Sequence, residues 1–195
     1  MYHLKEQEMI FVFTGPDGSG RKTVADMVGS TLGLKKVLSY TTRAKRPAEE
    51  EGQDYYFITR EQFEQAEQNG EFVESVEIDG AKYGIKHADI EHTFQNHDFI
   101  YLILNAQGAR RLKALYGDKV TRIFIYVDKQ TMIERQKKLN ADEETLERHI
   151  RHYEEDMSYK NECKYAIENL DLAHTVFAVT NILEQYMNRG LVEKD

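Results

Sequence analysis

The sequence has one cysteine, two prolines and no long hydrophobic run. A lone thiol, Cys163, makes no internal disulfide, and cysteine spacing of the metal-binding kind is absent, which suits a reducing cytoplasm. With so little proline beside 41% hydrophobic and 31% charged residues, disordered and collagenous chains are excluded. The apolar run Met9–Phe13 spans five residues behind Lys5, Glu6 and Glu8, too short and too acidic for a signal peptide or a membrane span. Positive charge is also in deficit. A formal net charge of −8 argues against a duplex nucleic-acid binder, so any anionic ligand must meet a local basic cluster. No internal repeat and no Gly/Ser- or Pro-rich linker divides the 195 residues, and one compact domain with an appended lobe is expected.

What is present begins with Met9–Thr14, a continuous apolar run of the kind buried on both faces of a parallel sheet. The glycine-rich loop Gly15–Gly20 follows, then Val24, Met27, Val28 and Leu32 at helical spacing. Lys36–Tyr40 reads as a second strand. Between Tyr55 and Tyr83 the pattern changes: a strand at Tyr55–Ile58, a helix from the Thr59/Gln62 capping box to about Asn69, then alternation over Glu71–Ile78 ended by the Asp79-Gly80 turn. This predicts a small α+β lobe inserted in an α/β body. Strand and helix then alternate: Phe99–Leu104, Gln107–Tyr116, Val120–Val127, Lys129–Leu139, a helix carrying Leu146, Ile150, Tyr153 and Met157, a strand at Tyr165–Ile167 and a helix at Ala173–Tyr186. The body is expected to be a parallel sheet with helices on both faces.

Chemistry is expected at two places. In Gly15-Pro16-Asp17-Gly18-Ser19-Gly20-Arg21-Lys22-Thr23 the strand–loop–helix context is the one in which backbone N–H groups cradle phosphate. A standard P-loop carries Lys directly after its last glycine and Ser or Thr next; here those places hold Arg21 and Lys22, with Thr23 one residue late. The second place is basic. Arg43 and Arg46, three residues apart, can clamp a phosphate dianion through charge-assisted bonds, and the hydroxyls of Tyr55 and Tyr83 can complete its shell. Glu74, at the end of Glu71-Phe72-Val73-Glu74, offers one carboxylate that can accept from two adjacent donors of a ligand.

The run Ser39-Tyr40-Thr41-Thr42-Arg43-Ala44-Lys45-Arg46-Pro47, with Gly52, Asp54, Tyr55, Glu71-Phe72-Val73-Glu74, Lys82-Tyr83-Gly84 and the glycine loop, resembles the guanylate kinase family from about Ile10 to Leu183. The resemblance implies a P-loop core at 8–38, 84–136 and 149–195, a GMP-binding lobe at 39–83 and a short helical lid at 137–148. It implies that Arg43, Arg46, Tyr55 and Tyr83 bind the GMP phosphate and that Ser39, Glu74 and Asn105 address the base. Gly15, Gly18, Ser19, Gly20, Arg21, Lys22 and Thr23 would hold ATP phosphates, Arg135 and Arg148 would touch phosphates from the lid side, and Asn169 would lie near the adenine. Arg21, Lys22, Arg43, Arg135 and Arg148 would carry catalysis. Departures gather on the ATP and metal side: Arg21 and Lys22 in the loop, Ile103 and Asn105 at two family acidic positions, and Ile85 at a small hydroxyl position. Between Arg135 and Arg148 an expected arginine has only Lys137 or Lys138 as a stand-in.

Two functions follow. One is ATP-dependent phosphorylation of GMP, slow for want of the groups that organise Mg²⁺; ATP and Mg²⁺ would then be required, with no metal held by the protein itself. The other is a non-catalytic module that binds a guanine nucleotide or a phosphorylated partner. Neither calls for nucleic acid or membrane, and the chain is expected to be a monomer or homodimer. His149 and His152, one turn apart, have the spacing to share a metal but read better as a solvated helix face.

Overall fold

The structure, a computed structural model, describes residues 2–187. The tail of the expected core, 188–195, lies outside the described residues. Five strands form a parallel sheet in the order β2-β7-β1-β8-β9: β1 (Met9–Thr14), β2 (Lys35–Lys36), β7 (Phe99–Ile103), β8 (Val120–Tyr126) and β9 (Tyr165–Glu168). Successive β1 side chains point to opposite faces, and both faces are covered. Ile10 and Val12 join Ile90, Phe94 and Leu112 from α3 (His87–Phe94) and α4 (Ala106–Tyr116). Phe11 and Phe13 join Val24, Val28, Val179 and Leu183 from α1 (Arg21–Leu32) and α7 (Leu172–Tyr186). The continuous apolar run of β1 is thus explained by two-sided burial.

A second sheet, order β4-β3-β6-β5, is built from β3 (Tyr40–Thr41), β4 (Tyr56–Phe57), β5 (Phe72–Ile78) and β6 (Ala81–Lys86). It is mixed, with β3 parallel to β4 and antiparallel to β6. Its helix α2 (Arg60–Gln68) starts at the expected reciprocal Thr59/Gln62 capping box, and Phe63 stacks on Phe72 with centroids 4.3 Å apart. Asp79 and Gly80 take φ of 49° and 77°, the left-handed pair that a two-residue hairpin turn requires.

Two expectations are corrected. Lys36–Tyr40 is not one strand: Lys35–Lys36 pairs with β7, whereas Tyr40–Thr41 pairs with β4 and β6 in the other sheet. The chain changes sheets at Val37–Ser39, and Ser39 lies at the crossover. Helix α3 has no counterpart in the sequence reading, since His87–Phe94 offers only two buried residues, Ile90 and Phe94, to a periodicity search. After β8 come α5 (Lys129–Lys138) and α6 (Glu143–Ser158), whose N-caps Asp128 and Asp142 accept from Thr131 and Thr145. Among the described residues no helix is long and apolar enough to cross a membrane.

Candidate functional site

The glycine loop leaves the C-terminal end of β1 and enters α1, so the first N–H groups of α1 lack intrahelical acceptors and face the cleft. Its conformation admits only glycine at two points. At Gly15, φ is 134° and a Cβ would lie 2.0 Å from the Ile125 carbonyl oxygen; at Gly20, φ is 83° and a Cβ would meet Asn169 Nδ2 at 2.6 Å. Asn169, 3% exposed, donates from Nδ2 to the Ser19 carbonyl at 2.8 Å. It therefore braces the loop from beneath. Arg21 folds back over the loop, donating to the Gly15 carbonyl and, at 2.9 Å, to Asp17. Burial alone would raise the Asp17 carboxyl, but Arg21, His149, Arg46 and Arg148 together pull it below the usual carboxylate range. Lys22 turns the other way, its ammonium 3.0 Å from both Asp26 of α1 and Asp54 of the inserted segment. Lys36 and the Tyr101 hydroxyl also reach Asp26 at 3.0 Å. Lys22, Asp26, Lys36 and Asp54 line a cavity of about 370 Å³ together with Glu50 and Gln53.

Across the cleft, the basic segment is organised by Glu49. Its carboxylate accepts from the Arg43 guanidinium at 2.9 and 2.7 Å and from the Arg46 backbone N–H at 2.8 Å. Arg43 lies 5.4 Å over the Tyr55 ring, and Tyr55 meets Tyr83 edge-on with centroids 6.0 Å apart. Arg43, Tyr55 and Tyr83 thus form one cluster, with Arg43 Nε buried and unpartnered. Further along, Glu74 is 5% exposed and its carboxyl packs against Gly108, with Asn105 Oδ1 close by. Burial pushes its carboxyl up to about 7, opposed only by the Ile85 backbone N–H. A buried carboxyl without a cation is costly to ionise, which marks it as a group awaiting donors. Ser39 is buried at the sheet crossover, and its carbonyl accepts from Tyr56 N–H at 3.0 Å.

This arrangement, a glycine loop at the end of a parallel strand facing an arginine–tyrosine cluster and a buried carboxyl, has known relatives. The guanylate kinase family model matches residues 7–186. The chain belongs to that family. It is 27% identical to the guanylate kinase of Fusobacterium nucleatum over 90% of this chain and 95% of that one. Against the Anaplasma phagocytophilum guanylate kinase it is 31% identical, covering 92% and 88%. The crystal structure of a guanylate kinase from Anaplasma phagocytophilum superposes with a TM-score of 0.73 at 27% identity, covering 95% of this chain and 89% of that one.

Within the guanylate kinase fold, the remaining residues singled out in the sequence make contacts of their own. Asn105 is the N-cap of α4, its Oδ1 accepting from Gly108 N–H at 2.9 Å, and Ile85 is fully buried. Arg135 donates to the Asn169 carbonyl at 2.6 Å and the Leu170 carbonyl at 3.2 Å, holding the segment before α7. Asn169 itself faces the loop backbone. Arg148, on α6, donates to Thr145 Oγ1 at 3.4 Å, and Lys137 and Lys138 end α5. His149 is not on a solvated face: it is 9% exposed with Nε2 3.6 Å from Asp17, while His152 reaches Asp79 at 3.1 Å. Asp17 and Glu49 were not singled out by the sequence as site residues, and His149 was read only as part of a solvated histidine pair. The run Glu49–Glu51 beside Arg43 and Arg46 was the signal available for Glu49. Among the described residues no three His, Cys, Asp or Glu side chains lie together as a metal site.

Proposed function

We propose that the cleft binds GMP and phosphorylates it with ATP, slowly. The observation that carries this reading is the convergence of Arg43, Tyr55 and Tyr83 on one wall, beside the unpaired buried Glu74, opposite a glycine loop whose helix N-terminus is open to anions. Arg43 and Arg46, held by Glu49, take the GMP phosphate; Glu74 accepts from the two donors of the guanine edge. Gly15, Gly18, Gly20 and the first N–H groups of α1 cradle the donor phosphates. Arg148 offers a guanidinium from α6, and Arg21, after releasing Asp17, lies against the same phosphates. Inserted segment 39–83 serves as the GMP lobe and 137–148 as the lid. Mg²⁺ would arrive on the ATP phosphates. The carboxylates beside Lys22 fit it poorly, because Asp26 and Asp54 are already neutralised by Lys22 and Lys36.

The same contacts favour a second reading, a GMP-binding module without transfer. Arg21 is committed to Asp17 and the Gly15 carbonyl, and Lys22 to Asp26 and Asp54, so neither cation at the loop is free as the structure stands. Calorimetry separates them from a structural role. GMP should bind with preference over AMP, and ATP with GMP should yield GDP; binding of GMP without product supports the module, and equal affinity for AMP removes the base-reading role of Glu74.

A further inference from the structure

His149 is a residue of the cleft whose environment is incomplete. It is 9% exposed, and its Nε2 faces Asp17 Oδ2 at 3.6 Å, within ion-pair range and too long for a hydrogen bond. Its Nδ1 is buried without a partner, as are Ser19 Oγ and Asn169 Oδ1 around the same loop. Buried polar atoms in native proteins have partners, and a phosphate oxygen can accept from two of these, the Ser19 hydroxyl and a protonated His149 Nδ1, though not from Asn169 Oδ1, itself an acceptor. The charged groups facing the ring come from every neighbouring segment: Asp17 and Arg21 from the loop and α1, Arg46 from the basic segment, Arg148 from α6 itself. Asp156, two turns along α6, responds to the same Arg21 and Asp17.

In the free protein Nε2 is the protonated nitrogen, because a lone pair turned to the Asp17 carboxylate would be repelled. That leaves a lone pair on Nδ1. A phosphate oxygen cannot donate to it, and can only accept from an N–H at that position. Both nitrogens must then carry protons, so the ring that satisfies Asp17 and a phosphate oxygen together is the imidazolium. We propose that His149 takes up a proton when a nucleotide phosphate enters at the glycine loop, and then bridges that phosphate to Asp17 as a phosphate-contacting cation. The inference rests on the reading of the loop as the ATP side of the cleft. It adds a cation at a site where Asp17 places an unusual negative charge, and that charge would otherwise oppose a polyphosphate. Burial, with the arginines, lowers the proton affinity of the free ring against the pull of Asp17. An entering phosphate raises it.

The test is titration calorimetry of the full chain with β,γ-imido-ATP at pH 6.5, 7.5 and 8.5, in pairs of buffers of different ionisation enthalpy. GMP is titrated in parallel. The expected result is net proton uptake with the ATP analogue, with affinity falling by up to about tenfold per pH unit in the window between the free and bound proton affinities. His149→Gln should abolish uptake and flatten the pH profile. Asp156→Asn should leave uptake in place. Nitrogen-15 shifts of the His149 ring in the wild-type protein give a second readout independent of the variants: the neutral Nε2–H form when free and the imidazolium when the analogue is bound. Analogue binding without uptake, uptake unchanged in His149→Gln, or uptake lost with Asp156→Asn alone overturns the proposal and leaves the cleft reading standing. GMP binding without analogue binding overturns the ATP-side assignment and this proposal together.

Discussion

Glu74→Gln separates stability from binding at one buried position. Glu74 is 5% exposed, and burial moves its carboxyl from 4.5 to about 7 with no cation to offset the charge. Because the folded protein holds this proton more tightly than the unfolded chain, the favourable contribution is full below about pH 4.5 and is lost as pH rises through about 7. A difference of that size, at about 1.4 kcal/mol per unit, makes the ionised side chain cost on the order of 3 kcal/mol at pH 8. Gln cannot ionise and retains the shape. Urea unfolding of both proteins at pH 5, 6, 7 and 8 should therefore show the variant gaining on the wild type steadily between pH 5 and 7 and holding the gain above. On the proposed role of Glu74, the same substitution replaces a carboxylate that would accept from both guanine donors with an amide that accepts through only one oxygen, so GMP affinity should fall while stability rises. A stability difference independent of pH would refute the claim that Glu74 is an unpaired buried acid.

Arg43→Ala should weaken GMP binding by about 1.5–3 kcal/mol in calorimetry, the value of charged hydrogen bonds; unchanged affinity would put the phosphate elsewhere. Asn169→Ala should destabilise by about 1–3 kcal/mol, by leaving the buried Ser19 carbonyl unmatched. Amide exchange should then quicken at Ser19–Lys22, and exchange confined to other segments would contradict its role under the loop. Arg21→Lys, Lys22→Ser, Ile103→Asp and Asn105→Asp together should raise turnover more than any one of them, since such groups act as a unit. Lys22→Ser alone should lower the melting temperature, because it strips Asp54 of its ammonium partner.

The elements with strong local signals were legible in the sequence. β1 declared two-sided burial by its unbroken apolar run, α2 its start by Thr59 and Gln62, and the β5–β6 hairpin its turn by Asp79-Gly80. Arg43, Tyr55 and Tyr83 do assemble, although Glu49, which holds Arg43 there, had no role in the sequence reading. What was not legible depends on contacts between distant segments. Nothing within the chain near Lys35–Thr41 says that the backbone changes sheets there. His149 carries no local mark of its position, because only the packing of α6 across the glycine loop brings it to Asp17. Likewise the direction taken by Arg21 and Lys22, one back over the loop and one toward Asp54, follows from carboxylates 4 residues before the first and 32 after the second.

The central claim, that this cleft still transfers phosphate to GMP despite its altered loop, is tested most directly by chromatographic measurement of GDP formed from ATP and GMP at saturating Mg²⁺. The groups missing around the metal are typically worth several kcal/mol in phosphoryl transfer, and about 1.4 kcal/mol is tenfold in rate. The account predicts GDP at a rate at least about a hundredfold below the roughly 10 s⁻¹ of a median enzyme, and less still from Arg43→Ala. Turnover at an ordinary enzymatic rate would contradict the weight given to Arg21, Lys22, Ile103 and Asn105, and an absence of GDP from the wild-type protein would contradict catalysis itself.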